Sequence, residues 1–385
     1  SEVARRLKGA LRPSDTVARF GGDEFLVLCE SIVDERDAIR IASRLERAVE
    51  APLILGQREL HVSVCIGIAI QSVGADPMEP EGLVAHADAA MYHGKAQGAA
   101  SVRVFDPEVH RLAMARVEME AALEHAVDRG ELLVHYQPIV SLSDQSLMGV
   151  EALVRWDRPG HGLVSPLEFI GLAEDNGVII PLGAWVLERA VSDLAQWRAE
   201  GWAPDGLTLT VNLSPRQLAE PELTTRVALI LERHGIEPGA LCLEITESAL
   251  MDDLDRAVAA LQALKKIGVR LALDDFGVGH SSLAHVARLL PIDIVKVDRS
   301  FVKGVNTARD RAVLEAVALL ARSLSLIAVA EGIENRGQAA ALAQMGYPLG
   351  QGFLFAKPGP TEHVRTFVMG ESRAPDATAK LPVGR

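Results

Sequence analysis

The stretch Arg270-Leu271-Ala272-Leu273-Asp274-Asp275 is an apolar, strand-like run that ends on two carboxylates. The same pattern recurs along the chain, where strand-like runs end on a polar side chain and are followed by helical segments. The polar residues at these ends are Glu151, Asn212, Glu244, Asp274, Asp275, Lys296, Asp298 and Glu331, and Gln351 starts the eighth run. Eight such strands alternating with helices over about 250 residues predict a (β/α)8 TIM-like barrel.

The positions of the polar residues favour a closed barrel over an open doubly wound sheet, which has the same periodicity. From Asn212 to Glu244 the step is 32 residues, and from Glu244 to Asp274 it is 30, each long enough for one helical crossover. In a barrel these strand ends meet at one mouth, whereas in an open sheet they spread along an edge.

The polar strand ends also indicate a chemistry. A single acidic residue at a strand end is more often a helix cap or a solvated loop group. Several carboxylates held together repel one another unless a cation neutralises them. An all-oxygen ligand set favours Mg²⁺ or Mn²⁺, and two such ions suit in-line attack on a phosphodiester.

Composition excludes several other classes. Thirty-nine basic and 52 acidic residues give a net charge of −13, which argues against a partner of duplex nucleic acid. Three scattered cysteines fit a reducing compartment. The sequence shows no apolar stretch long enough to predict a membrane span and no pattern that predicts a signal peptide. We therefore expect a cytoplasmic protein. Because the chain begins with Ser1 in a helical pattern, we expect a fragment whose parent could carry a membrane tether.

Changes of pattern predict four segments. Residues 1–106 form a small α/β unit, residues 107–130 a helical linker, and residues 131–370 the barrel. Residues 371–385 are expected to form a flexible tail.

The barrel segment resembles EAL-domain cyclic di-GMP phosphodiesterases. The resemblance covers about 250 residues, and its ordered motifs are Tyr136-Gln137-Pro138-Ile139, Glu151-Ala152-Leu153-Val154-Arg155, Val211-Asn212-Leu213-Ser214, Leu243-Glu244-Ile245-Thr246-Glu247, Asp274-Asp275-Phe276-Gly277, Lys296-Val297-Asp298, Ala330-Glu331-Gly332-Ile333-Glu334 and Gln351-Gly352-Phe353. The resemblance implies hydrolysis of cyclic di-GMP to linear pGpG. The alternative is a module that binds cyclic di-GMP or scaffolds a partner without turnover, against which the full set of metal-site residues argues.

The resemblance also implies residue roles. Two metal ions are bound by Glu151, Asn212, Glu244, Asp274, Asp275 and Glu331. Lys296 orients the attacking water or holds phosphate charge, and Glu331 is the general base. The dinucleotide pocket is lined by Gln137, Leu153, Arg155, Asp298, Glu334 and Gln351. Glu247 holds the loop that begins at Asp274, and this loop contributes to a homodimer through the EAL domain.

Two residues of that loop depart from the family pattern. Val278 stands where the family usually has Thr, and His280 where it has Tyr. Neither is a proposed ligand, but the lost hydroxyl removes an anchoring hydrogen bond. We expect a less rigid loop and lower turnover.

The first segment resembles the GGDEF domain of diguanylate cyclases. Its motif is Gly21-Gly22-Asp23-Glu24-Phe25, and Arg12 and Asp15 match the spacing of the family's inhibitory site. By itself the motif equally fits a plain Gly-Gly hairpin. Only 20 residues precede Gly21, too few for the strand and helix that carry the family's second metal-binding Asp. We therefore expect a partial, cyclase-incompetent domain that is inactive, or regulatory through GTP or cyclic di-GMP.

Overall fold

The structure is a computed structural model that describes residues 2–55, 58–71, 78–96, 101–247, 254–277 and 291–370. The chain divides into two compact units, residues 1–118 and residues 119–385. The tail expected over 371–385 and the loop residues Val278 and His280 lie outside the described residues. In the described ranges, no helix combines the length and the apolar character that a membrane crossing requires.

The first unit consists of short strands and helices. Its elements are α1 (Glu2–Gly9), β1 (Thr16–Gly21), β2 (Glu24–Leu28), α2 (Glu35–Glu50), β3 (Leu53–Leu55), β4 (Arg58–Leu60), β5 (Ile66–Ile68), α3 (Pro80–Ala96), β6 (Val102–Val104) and the first part of α4 (Pro107–Leu123), whose last five residues belong to the second unit. The apolar face of α2, with Ile41, Leu45 and Val49 at helical spacing, packs against Leu7 of α1. Strands β1 and β2 pair antiparallel, and Gly22 turns between them with φ +48°. The left-handed conformation at this turn is one that glycine adopts without steric cost.

The second unit contains the remaining elements. In chain order they are β7 (Leu132–Ser141), β8 (Leu147–Arg158), β9 (Gly162–Val164), α5 (Pro166–Asn176), α6 (Ile179–Ala199), β10 (Thr208–Asn212), α7 (Pro215–Leu218), α8 (Leu223–His234), a 3₁₀ turn (Pro238–Ala240), β11 (Leu241–Thr246), α9 (Leu254–Ile267), β12 (Arg270–Phe276), β13 (Ile294–Val297), α10 (Arg299–Lys303), α11 (Ala308–Ser323), β14 (Ile327–Ala330), α12 (Arg336–Met345), β15 (Leu349–Gln351) and α13 (Thr361–Val368).

Eight of these strands close into a barrel, which confirms the predicted fold. The order around the barrel is β7, β8, β10, β11, β12, β13, β14 and β15, and β15 pairs with β7 to complete the ring. Strand β9 extends the sheet outside the ring by pairing with β8. The eighth barrel strand, β15, ends at Gln351, so the prediction that Gln351 starts this strand is wrong.

Strand β7 differs from a regular (β/α)8 barrel because it runs antiparallel to both of its neighbours. The cause is local: β7 and β8 are joined by residues 142–146, a connection too short for a helical crossover. The start of β7 therefore lies at the same mouth of the barrel as the ends of the other strands.

A small apolar layer fills the inside of the barrel. It consists of Ile139, Cys242, Ala272, Ile294 and Val329, which are all buried. A larger apolar shell lies between the strands and the surrounding helices and includes Trp156, Phe169 and Trp197. The inner layer fixes the inward face of each strand, and so determines which neighbouring side chains point to the mouth.

Candidate metal centre at the barrel mouth

The functional side chains lie two residues further along the strands than the inner apolar layer. Because side chains alternate along a strand, a residue two positions from an inward-pointing one also points inward. The pairs are Cys242 with Glu244, Ala272 with Asp274, Ile294 with Lys296, Val329 with Glu331 and, on the reversed strand, Ile139 with Gln137. The predicted strand-end residues are thus directed to one mouth by the period of the strands.

Lys296 lies at the centre of four carboxylates. Its Nζ is 2.5 Å from Glu331, 3.4 Å from Glu151 and 3.8 Å from Asp274, and it forms an ion pair with Glu244. Only 2% of the Lys296 side chain is exposed. A lysine is tolerated at this depth because the surrounding carboxylates satisfy its charge.

Glu151 and Asn212 are joined directly. The Asn212 amide Nδ2 donates a hydrogen bond of 2.9 Å to Oε1 of Glu151. Its amide oxygen is left to serve as a ligand, since an amide offers one oxygen acceptor beside its two N–H donors.

Burial and mutual repulsion shift the pKa values of the cluster. Burial, together with the charges of Glu151, Asp274 and Glu331, raises the pKa of Glu244 well above its usual range, against the opposing effect of Lys296. Burial likewise raises the pKa of Glu331 to about 7. Burial alone lowers the pKa of Lys296, but the four carboxylates raise it well above normal. Lys296 is therefore a permanent cation here, whereas Glu331 can hold or release a proton near neutral pH.

The donor set fits a metal ion. Oxygens of Glu151, Glu244 and Glu331 lie within 4.8 Å of one another. Oε2 of Glu244 and Oδ1 of Asp274 are buried and accept no hydrogen bond from the described residues. Four carboxylates and one lysine give −4 + 1 = −3 when ionised, an excess that hard cations can neutralise. These acidic residues can hold a metal ion.

Asp275 lies beside this cluster rather than within it. It is exposed, and its φ of 54° is in the left-handed region that Asp adopts more readily than most residues. Partial burial of its carboxyl group and the charges of Asp274 and Asp298 raise its pKa. The register of β12 against β13 shifts between Leu273 and Phe276, so two successive carboxylates are available at this strand end.

The predicted pocket residues separate into buried and accessible groups. Gln137 and Gln351 are buried, with 8% and 4% of their surface exposed. Leu153 and Arg155 are half-buried, and Glu334 is exposed. The guanidinium of Arg155 donates to the Val154 carbonyl at 2.8 Å, and burial lowers its pKa.

Two other predicted residues have mainly local roles in the structure. Asp298 caps α10, because its carboxylate accepts a hydrogen bond of 2.9 Å from the Ser300 backbone N–H. Glu247 is buried directly after β11, but the loop that it is predicted to hold continues beyond the described residues.

Sequence reasoning missed an aromatic group after β15. Phe353 is 58% exposed, and the ammonium group of Lys357 lies 5.6 Å from the centre of its ring. An exposed aromatic ring so close to Gln351 could have been noticed, because large exposed apolar side chains often mark a ligand surface.

In the first unit, the motif residues Asp23 and Glu24 are exposed at the β1–β2 hairpin, and Phe25 is half-buried. Arg12 and Asp15 are brought together, since the Arg12 backbone N–H donates a hydrogen bond of 2.9 Å to Asp15. No group of three Asp, Glu, His or Cys side chains in the described part of the first unit is close enough to share an ion. Within the described residues, Glu151, Glu244 and Glu331 of the barrel form the one such group.

A closed α/β barrel with a buried carboxylate cluster at its mouth defines the class of this protein. A sequence model of the family described as "EAL domain" matches residues 120–358. A second one, described as "Diguanylate cyclase, GGDEF domain", matches residues 1–101. The chain therefore belongs to the EAL-domain family, with a GGDEF region ahead of the barrel.

Particular relatives are found in several bacteria. The chain is 38% identical over 364 residues to the bifunctional diguanylate cyclase/cyclic di-GMP phosphodiesterase MucR of Pseudomonas aeruginosa, covering 94% of this chain and 52% of MucR. It is 35% identical over 361 residues to the cyclic di-GMP phosphodiesterase PdeR of Escherichia coli, covering 93% of this chain and 53% of PdeR. The chain thus spans about half the length of these curated relatives.

A solved structure supports the same relationship. The PaMucR phosphodiesterase in complex with c-di-GMP matches with a TM-score of 0.61 and 39% identity. The match covers 64% of this chain and 99% of the PaMucR chain.

Proposed function

We propose that the barrel unit hydrolyses one phosphodiester bond of cyclic di-GMP to give linear pGpG. The observation that carries this proposal is the cluster of four carboxylates around the buried Lys296 at the barrel mouth. Similarity to MucR and PdeR, whose names include cyclic di-GMP phosphodiesterase, indicates the substrate class.

Two Mg²⁺ or Mn²⁺ ions are the cofactors that we assign to this site. Their ligands would be Glu151, Asn212, Glu244, Asp274, Asp275 and Glu331. When bound, such ions acidify water and neutralise phosphate charge.

The chain's own groups divide the remaining work. Glu331 accepts the proton of the attacking water at its carboxylate, and because bound cations lower the pKa of that water, a carboxylate of ordinary basicity is sufficient. Lys296 holds positive charge beside Glu244 and Glu331 and so limits their repulsion when both are ionised. Arg155 and Leu153 are accessible enough to contact the dinucleotide, and an arginine side chain suits its phosphate or guanine oxygens. Asp298 and Glu334 are assigned to the same pocket.

Chromatographic detection of pGpG tests the proposal. Purified protein supplied with Mn²⁺ and cyclic di-GMP should form pGpG, and a Lys296→Met variant should lose this activity. Glu362→Gln, which removes an exposed charge on α13, serves as the control and should retain the activity. Equal activity in the Lys296→Met variant would exclude the cluster from the reaction.

The second candidate is a cyclic di-GMP receptor without turnover. Binding of cyclic di-GMP in calorimetry, with no pGpG formed after prolonged incubation with either metal, would favour this alternative. The half-buried Arg155 is compatible with both functions, whereas a buried cluster with two unsatisfied carboxylate oxygens favours the enzyme.

Three further assignments complete the proposal. The protein acts as a homodimer through the EAL domain, which light scattering of the purified chain tests. The GGDEF region binds GTP in a regulatory role, which calorimetry with GTP tests. The protein acts in the cytoplasm, an assignment supported by three scattered cysteines without CxxC spacing and tested by cell fractionation.

A further inference from the structure

Two buried amide side chains connect three neighbouring strands of the barrel. Gln351 ends β15, Gln137 lies on β7 and Glu151 lies on β8, with Gln137 directly opposite Glu151 in the strand register. All three side chains are less than 9% exposed. A buried row of polar groups at this position requires hydrogen-bond partners within the protein.

The amides form a continuous hydrogen-bonded chain. Nε2 of Gln351 donates to Oε2 of Glu151 at 2.7 Å and to Oε1 of Gln137 at 2.9 Å. Nε2 of Gln137 donates in turn to the Ala356 carbonyl at 3.1 Å. Both N–H donors of Gln351 are therefore used, since a carboxamide has two. Its Oε1 atom is buried and has no partner among the described residues.

This hydrogen-bonded row of amides fixes the orientation of the Glu151 carboxylate from one side. Oε1 of Glu151 accepts from Asn212 at 2.9 Å, and Oε2 accepts from Gln351. The distance from Oε2 to Lys296 is longer, 3.4 Å. Without Gln351, the carboxylate would keep one short hydrogen bond and could rotate about it.

We propose that Gln351 and Gln137 are positioning residues that orient Glu151, and that they do not contact the dinucleotide. This proposal deepens the proposed function and rests on it, because it assigns Glu151 as a ligand of the reacting centre. It replaces the pocket-lining role that the family resemblance implies for both glutamines. The hydrogen bond from Gln137 to the Ala356 carbonyl also connects the segment that follows β15, which includes the exposed Phe353, to the Glu151 carboxylate through the two glutamines.

The proposal predicts a specific pattern of changes. Outer groups that orient a ligand typically change metal affinity by about 10- to 100-fold when removed. Replacing Gln351 with Met, which has a similar length and no N–H donor, should weaken Mn²⁺ binding by a factor in this range. The kcat value should fall, while the Kd for cyclic di-GMP should change less than about 2-fold, within ordinary context variation.

The experiment measures Mn²⁺ affinity by electron paramagnetic resonance of free Mn²⁺ in metal-stripped protein, together with kcat, KM and Tm. The variants are Gln351→Met, Gln137→Met and the double variant. Because the two amides act in one chain, their effects on metal affinity should be less than additive. Arg155→Met is the control, with the opposite pattern expected: weaker cyclic di-GMP binding and unchanged Mn²⁺ affinity.

The outcomes separate the alternatives. Unchanged Mn²⁺ affinity with a raised KM in Gln351→Met would overturn the positioning role and restore a substrate contact. A merely structural role would lower the Tm but leave metal affinity unchanged once the protein is folded, and that result would also overturn the proposal. If the wild type forms no pGpG, the proposed function fails, yet the Mn²⁺ titration still decides how Glu151 is oriented.

Discussion

At the scale of single residues, the proposed function assigns two roles to the carboxylate of Glu331. It pairs with Lys296 at 2.5 Å, belongs to the trio that can hold a metal ion, and has a pKa of about 7. A group with these properties can accept a proton from water near neutral pH.

The variant Glu331→Gln keeps the shape of this side chain and removes its charge and basicity. We expect turnover to fall by at least about 100-fold, on the scale of general-base losses, while affinity for cyclic di-GMP changes far less. The measurement is pGpG formation, with calorimetric binding and Tm on the same preparation. Glu331 does not cap the following helix, because Asn335 is the N-cap of α12. A folded variant with normal turnover would remove Glu331 from the mechanism.

The stability of the metal-free protein should depend on pH through the same cluster. The folded-state pKa values of Glu331 and Glu244 are raised above the unfolded value of about 4.3. A raised carboxyl pKa contributes stability at low pH that is lost as the pH rises through the folded-state pKa. We therefore expect the Tm of protein in EDTA to decrease between pH 6 and pH 8.

Two comparisons isolate this effect. In Glu331→Gln the decrease should be smaller, because the group with a pKa of about 7 is absent. With Mn²⁺ the decrease should also be smaller, because the ion favours the ionised carboxylates. The same slope for wild type and variant in EDTA would show that other groups control the titration.

Strand-end position predicted most of the carboxylate cluster from sequence, for a simple reason. A side chain two residues beyond a buried apolar one points to the same side of a strand, so Glu244 and Glu331 could be placed without coordinates. The contact between Gln351 and Glu151 could not be placed, because it joins side chains 200 residues apart. The left-handed backbone at Asp275 could not be predicted either, because an Asp residue is compatible with this conformation but does not require it.

At the scale of elements, the direction of β7 could not be predicted from the apolar pattern. Apolar periodicity locates β7 and β8 but carries no strand direction, which depends on the length of the connection 142–146. Because β7 is antiparallel to β8, Gln137 near the start of β7 lies at the mouth, where it is paired with Glu151 of β8.

The outer face of β7 is attached to α6 through one buried hydrogen bond. The Tyr136 hydroxyl donates to Asp193 at 2.6 Å, and Asp193 also pairs with Arg189 at 3.0 Å. We expect Tyr136→Phe to lower the free energy of unfolding by about 1–3 kcal/mol, because a buried carboxylate loses a donor. Denaturant unfolding followed by circular dichroism provides the measurement.

A matched control uses the other buried tyrosine. The Tyr347 hydroxyl donates to the Leu314 backbone carbonyl at 2.9 Å, so Tyr347→Phe leaves a neutral acceptor without this donor. Its loss should be smaller than that of Tyr136→Phe. Equal losses would mean that the charge of Asp193 has no part in the attachment of β7 to α6.

At the scale of the whole molecule, the barrel could be predicted because a single requirement had to hold for all strands. Polar ends on successive strands can share an ion only if the sheet closes, and the pairing of β15 with β7 supplies this closure. The first unit had no such requirement. Its strands are short, and they form separate two-stranded pairs, β1 with β2, β3 with β4 and β5 with β6.

Metal dependence tests the barrel unit as a whole, because the six proposed ligands lie on four different strands or, for Glu331, directly after a fifth. EDTA should abolish pGpG formation, and added Mg²⁺ or Mn²⁺ should restore it, since the excess negative charge of the cluster must be neutralised before phosphate can approach. Ca²⁺ should inhibit, because it binds oxygen ligands at longer distances and with looser geometry than Mg²⁺. The measurement is the initial rate of pGpG formation against metal concentration, with Tm recorded in parallel. The Tm should rise with either type of ion, which separates an occupied but inactive site from an empty one. Full activity in EDTA would contradict both the metal centre and the reaction proposed for it.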